Sequence, residues 1–169
     1  MRATYRIRQL LAALTARVSE ADLAEADACL PPGARALFRR MPRDGQAHAL
    51  RVMRDLVRAG HTHSSLLTAA LLHDAGKSAA RITPLTRSIF VVVERVAPRR
   101  LARWPATGWR RPLAILRDHP RVWAEWARAA GCDELAVSLI ARHQEKLGGA
   151  LSSEEDRLLK ALQAFDERN

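Results

Sequence analysis

Apolar residues recur at helical spacing along nearly the whole chain of 169 residues. Runs that alternate between apolar and polar residues, as a half-buried strand requires, are almost absent. The one cluster of β-branched residues, at 89–93, is short and flanked by helical pattern, so we interpret it as helical too. The spacing therefore predicts an all-α fold, and the length fits a single domain.

Turn and cap residues divide this pattern into about seven to nine helices. Gly60 and Gly131 predict helix ends, and the proline- and glycine-containing segments 31–33 and 42–45 predict turns. The expected helices cover about 4–30 with a break at the capping residue Ser19, the neighbourhood of 36–38, 46–59, about 64–76, 119–130, 133–147 and 152–167. The stretch 81–112 contains four prolines and Gly108, and it predicts no clear helix.

The composition favours an anionic partner without proving one. The formal net charge is +10, and all but three of the 28 basic residues are arginines. Such a balance suits binding to a nucleotide, a nucleic acid or an acidic membrane surface. The alternative is that the arginines have no binding role and reflect composition alone, because they are spread along the whole chain. With Cys29 and Cys132 as the only cysteines, a disulfide scaffold is excluded and a reducing compartment is expected.

No segment predicts a transmembrane helix. The longest uncharged stretch, Ala59–His73, is too short to span a bilayer and contains three histidines. The N-terminal segment has basic residues before Leu10, but Arg17 interrupts its apolar run and no cleavage site follows, so it does not resemble a signal peptide. The expected location is the cytoplasm.

Four histidines and two aspartates fall where their helices should face the core. They are His48, His73, Asp74, His119, His143 and Asp166. A single histidine on an apolar face is usually a satisfied core residue, but a buried carboxylate needs a partner or a metal. Imidazoles and carboxylates converging on a cation explain the whole set, because the positive charge offsets the buried negative charge.

The order of these six residues resembles the HD superfamily of metal-dependent phosphohydrolases. The strings HALRVMRDL, LLTAALLHDAGK, DHPRVWAEWARAAGCDELAVSLIARHQEK and LLKALQAFDERN carry the resemblance, and LLHDAGK is the most specific of them. The resemblance implies a helical bundle of the HD-domain type at 43–169. Residues 1–42 would then form a helical extension packed on the core, and 82–112 an insertion-like segment rich in Trp and Arg.

The resemblance also implies a ligand set and a reaction. A divalent transition metal would be held by His48, His73, Asp74 and Asp166. His119 and His143 match the positions of a second ion in the binuclear branches, where Asp74 bridges both ions. Iron, manganese, zinc, cobalt and nickel all suit these donors, and magnesium is a further candidate. The implied activity is hydrolysis of a phosphate ester or anhydride by metal-activated water, with a nucleotide as the expected substrate.

The chain departs from one of the binuclear branches, the cyclic-di-nucleotide phosphodiesterases of the HD-GYP type. Gln144 stands where that branch has a second histidine, and its Gly-Tyr-Pro loop is absent. Both departures argue against cyclic-di-nucleotide hydrolysis and against a third metal. The pattern is also similar to the symmetrical diadenosine-tetraphosphate hydrolases. Between His73 and His119 the connection is longer than in many HD proteins.

Contacts to substrate are expected from basic residues near the ligands. Lys77 lies one turn after His73 and is the natural phosphate contact, so we assign it a catalytic role with Asp74; the alternative is a salt bridge at the helix end. Arg43 and Arg142 are candidates for substrate binding, and the alternative for each is a solvated surface position.

Two questions stay open at this level. The 82–112 segment could be a lid over the site, a basic surface for membrane or nucleic acid, or two helices that cover the core. The chain could also be a non-catalytic nucleotide- or nucleic-acid-binding regulatory module that retains the HD fold.

Overall fold

The structure, a computed structural model, describes residues 17–75, 93, 95–97, 111–148 and 153–169, with the backbone alone for 111–119. These residues form seven helices and no strand: α1 (Glu20–Cys29), α2 (Pro32–Arg39), α3 (Arg43–Arg58), α4 (Ser64–Leu72), α5 (Arg111–Ala129), α6 (Glu134–Arg142) and α7 (Glu154–Asp166). The all-α prediction is confirmed. The expected helix before Ser19 and most of the 82–112 segment lie outside the described residues.

Short polar side chains begin three of these helices. Ser19 Oγ accepts from the Asp22 main-chain N–H at 3.2 Å, and Asp22 Oδ2 accepts from the Ser19 N–H at 2.8 Å, which makes a reciprocal capping box. Asp133 and Ser153 cap α6 and α7 in the same way, each through one side-chain oxygen. The helix start predicted at Ser19 is therefore confirmed, together with its physical cause.

Glycines end two helices as the sequence predicts. Gly60 and Gly131 have φ angles of 88° and 85°, a left-handed conformation that L-residues with a Cβ rarely adopt. The His61 N–H reaches back to Leu56 O at 2.9 Å, and the Cys132 N–H reaches back to Ala127 O at 3.0 Å. Both turns satisfy carbonyls that the helices leave without donors.

Three predicted boundaries are wrong. Helix α6 ends at Arg142 rather than near 147. The segment 42–45 is not a turn, since α3 begins at Arg43 and places Gly45 in its first turn. Pro42 precedes the helix with a φ of −57°, where its missing N–H costs no hydrogen bond. Helix α5 begins at Arg111 rather than near 119 and runs through Pro120, while Pro112 occupies its first turn.

Helix α4 lies at the centre of the core. It packs against α1, α2, α3, α6 and α7, and seven of its nine residues are buried. Its apolar residues surround the whole helix rather than one stripe, which is typical of a helix without a solvent face. His73 and Asp74 follow directly after α4, so the chain carries them into the interior of the bundle.

The packing leaves little space where α2 meets the end of α5. A Cβ atom on Gly33 would lie 2.5 Å from the main-chain oxygen of Ala130. Neither Cys29 nor Cys132 is in a disulfide, and burial raises the pKa of the Cys132 thiol to about 11. Among the described residues, no helix combines the length and apolar character needed to cross a bilayer.

Candidate metal centre

Three of the predicted ligands come together between α3 and the end of α4. One ligand atom each of His48, His73 and Asp74 lies within 4.8 Å of the other two. His73 is fully buried, while His48 and Asp74 are half-buried. Nitrogen and oxygen ligands about 2.0–2.2 Å from one ion lie about 3–4 Å from one another. These three residues could therefore hold a metal ion.

Asp166 joins this group from the other end of the chain. It is the last residue of α7, which packs against both α3 and α4. Its Oδ1 accepts from His48 Nε2 at 2.9 Å and lies 3.3 Å from His73 Nε2. Burial raises the pKa of the Asp166 carboxyl, but the hydrogen bond from His48, together with the nearby His73 ring, outweighs burial and holds this pKa well below its usual range. The carboxylate is thus ionised at neutral pH.

His143 approaches the same group from the end of α6. Its side chain is buried, and its Nε2 lies 3.9 Å from Asp74 Oδ1. The same Asp74 oxygen lies 3.8 Å from His73 Nε2, so this carboxylate stands between two imidazoles. The rings of His73 and His143 meet edge to face at 5.4 Å between centroids.

The hydrogen bonds of the two buried rings test whether a cation fits. His73 Nδ1 lies 3.0 Å from Ala70 O, and His143 Nδ1 lies 2.7 Å from Ile140 O. A carbonyl oxygen only accepts, so Nδ1 carries the proton in both rings. In the neutral ring the lone pair is then on Nε2, the atom that faces the carboxylates. Metal-binding histidines have this arrangement, in which the second nitrogen donates to a carbonyl.

The acceptor atoms in the middle of the centre favour a positive charge between them. A neutral His73 presents a lone pair at Nε2 towards Asp166 Oδ1 at 3.3 Å, which presents another. Two acceptors at this distance are stable with a cation between them or with a second proton on the ring. The donor set, with three imidazoles and two carboxylates, fits a divalent transition metal.

Several predicted site residues are not brought to the centre by any described contact. His119 lies on α5, but its side chain is outside the described residues, as is the whole of Lys77. Arg43 is exposed and donates to Val18 O at 3.1 Å. Their roles in metal or substrate binding stay predictions.

Arg142 is engaged by acidic residues. It donates to Glu145 at 2.7 Å and to Asp156 at 3.0 Å, and it also bonds Glu155. These carboxylates hold its pKa above the ordinary arginine value, with the Glu145 hydrogen bond as the largest cause. Its predicted role in substrate binding would require a phosphate to compete with carboxylates already in place.

One residue near the centre is not singled out by the sequence. The Gln163 amide donates to the main-chain oxygens of His143 and Glu145. The only signal for it is its position three residues before Asp166, on the same face of α7.

We compared the chain with protein-family models, curated proteins and solved structures, and nothing matched.

Proposed function

We propose that this protein is a metal-dependent phosphohydrolase of the HD kind, acting on a phosphate ester or anhydride of a nucleotide. The observation that carries the proposal is the convergence of His48, His73 and Asp74 with Asp166 and His143, which come from four separate parts of the chain. Two carboxylates and three imidazoles that are wholly or partly buried together are costly to fold, and a cation offsets that cost.

The ligand roles follow the sequence order. His48, His73, Asp74 and Asp166 would hold one ion. His143 and the predicted His119 would hold a second, with Asp74 between the two. When bound, a divalent metal polarises the phosphoryl oxygen and lowers the pKa of a bound water towards neutrality.

The chain's own residues prepare this chemistry. The carbonyls of Ala70 and Ile140 fix the protonated nitrogen of His73 and His143, so that each Nε2 faces the centre. Asp166 keeps its negative charge through the neutral range, because its hydrogen bond with His48 helps to hold its pKa below the usual range. Lys77 would bind the substrate phosphate, with Arg43 and Arg142 as further candidates. We expect this activity in the cytoplasm.

The first test is metal content followed by activity. The protein should be purified without chelator or histidine tag, and metal per chain measured by elemental analysis. Hydrolysis is then assayed with bis(p-nitrophenyl) phosphate, nucleoside phosphates and diadenosine tetraphosphate, with Mn²⁺, Fe²⁺ or Zn²⁺ added. We expect one to two equivalents of metal and turnover of at least one of these esters or anhydrides.

Asp74→Ala provides the matched variant. We expect it to lose hydrolysis by more than about 100-fold, since the carboxylate between the imidazoles is gone, while far-ultraviolet circular dichroism stays unchanged. Asp44→Ala is the control, because Asp44 is exposed in the first turn of α3. Full activity of Asp74→Ala with its metal retained would refute the assignment. Metal and nucleotide binding without turnover would instead identify the non-catalytic regulatory module.

A further inference from the structure

The end of α6, where His143 enters the centre, needs hydrogen-bond donors for its main-chain carbonyls. The last carbonyls of a helix have no donor within the helix. Ile140 O accepts from the His143 ring, and Arg142 O accepts from the Glu145 N–H at 2.7 Å. The carbonyls of His143 and Glu145 both accept from one atom, Gln163 Nε2, at 3.0 and 2.8 Å.

Gln163 therefore links the main chain of His143 directly to α7. A primary amide nitrogen carries two N–H groups, and Gln163 donates to two carbonyls that flank one turn. It lies on α7 three residues before Asp166. The same helix therefore supplies one predicted ligand, Asp166, and the side chain that holds the main chain of another, His143. Moving the main chain of His143 away from α7 would therefore stretch or break these hydrogen bonds.

A second connection between the same two helices leaves the main chain of His143 untouched. The Arg142 side chain bonds Glu155 and Asp156 at the start of α7. Glu155 also accepts from Ser138 Oγ at 2.6 Å. This cluster connects α6 to α7 without a hydrogen bond to the carbonyls that accept from Gln163. A variant in the cluster therefore tests whether weakening the contact between the two helices is enough to disturb His143.

We propose that Gln163 is a positioning residue, which fixes His143 so that its Nε2 faces Asp74. The expected effect of Gln163 on metal binding rests on the proposed function. Its effect on the orientation of His143 does not, because the hydrogen bonds are present in the chain without metal. Without the amide donors, the carbonyls of His143 and Glu145 would turn to water. The turn after α6 would then rotate, and the bond from His143 Nδ1 to Ile140 O would no longer be enforced.

The first readout is the tautomer of His143 in chelator-treated protein. Long-range ¹⁵N–¹H spectra should show a single Nδ1–H form in the wild type. We expect Gln163→Met, which keeps the length of the side chain but has no donor, to show both tautomers. Glu155→Gln should lower thermal stability to a similar degree but leave the wild-type tautomer. If Gln163→Met does not fold, Gln163→Asn replaces it, since its amide is one methylene too short to reach.

The second readout is the affinity for Mn²⁺, measured by titration. We expect 10–100-fold weaker binding in Gln163→Met, the range typical for loss of a group that supports a ligand, and less than threefold change in Glu155→Gln. A wild-type tautomer and a wild-type Mn²⁺ affinity in Gln163→Met would overturn the proposal. A mixture of tautomers in a chain whose wild type binds no metal would support the positioning of His143 and refute the proposed function.

Discussion

Metal binding at the centre should stabilise the folded protein, and removing the Asp166 charge should abolish most of that gain. Asp166 Oδ1 and Asp74 Oδ1 lie 3.3 and 3.8 Å from the same nitrogen, His73 Nε2, so the two carboxylates are held close together. Their oxygens are therefore at most about 7 Å apart, and like charges at that distance repel by about 2 kcal/mol at an effective dielectric constant of about 20. A divalent cation between them turns this repulsion into attraction.

The expected size of the effect follows from mass action. An ion at about 100 times its Kd stabilises the fold by about 2.7 kcal/mol. A chain of this length gains about 2–4 °C in Tm for each kcal/mol, so Tm should rise by roughly 5–11 °C. Asp166→Asn keeps the size of the side chain and loses its charge. If its affinity is about 100-fold weaker, the same ion concentration gives only about 0.4 kcal/mol, or roughly 1–2 °C.

The assay is a thermal melt of chelator-treated protein with and without Mn²⁺, Fe²⁺ or Zn²⁺. Asp44→Asn is the control for a lost aspartate charge, since this residue is exposed on the same helix as His48. It should show the full wild-type rise with metal. The reasoning fails if Asp166→Asn gains as much Tm as the wild type, or if no ion raises the wild-type Tm.

Two further predictions concern the stability of the fold. Gly33→Ala should lower the free energy of unfolding by about 1–3 kcal/mol, and the urea midpoint with it, because the added Cβ would lie 2.5 Å from Ala130 O. Gly45→Ala should raise the free energy of unfolding by about 0.5 kcal/mol, and the urea midpoint with it, because its Cβ would meet only Met41 and Pro42 at ordinary contact distances; equal midpoints for the two variants would contradict this. Arg54 and the cap at the start of α1 hold the pKa of Asp22 below its usual range, so Asp22 contributes stability that is present above about pH 4 and lost at lower pH. The difference in urea midpoint between wild type and Asp22→Asn should therefore shrink as pH falls from 4, and a constant difference down to pH 2 would refute this cause.

The parts of the structure that the sequence predicts are those set by local chemistry. Ser19 caps a helix through its own neighbours, and Gly60 ends one because of its own φ angle. The helical spacing of apolar residues before His73 predicts that it faces the core, and the end of α4 does place it there. The sequence alone therefore predicts that histidines and aspartates, the residue types that bind metals, lie at inward-facing positions.

The parts that could not be predicted depend on how helices meet. The Gln163 amide bonds main-chain carbonyls 18 and 20 residues away, and no side-chain pattern marks a carbonyl. The sequence makes Arg142 an anion-binding candidate but does not show that α7 places Glu155 and Asp156 beside it. Pro112 belongs to a stretch with four prolines that predicts no clear helix, yet it lies in the first turn of α5, where a proline costs no hydrogen bond.

Two of the three histidines at the centre owe their orientation to the ends of their helices. His73 and His143 each follow a helix directly, and each ring donates to the carbonyl three residues earlier, a group that a helix end leaves available. At both helix ends, the same hydrogen bond satisfies a terminal carbonyl and fixes which nitrogen of the histidine ring carries the proton. His48 lies inside α3, where the main-chain carbonyls accept from N–H groups of the helix itself. Its orientation comes from the hydrogen bond with Asp166 instead. The Nε2 atom of His48 carries the proton that Asp166 accepts, so this proton must leave before that atom can bind an ion. His73 and His143 already present an Nε2 atom that carries no proton.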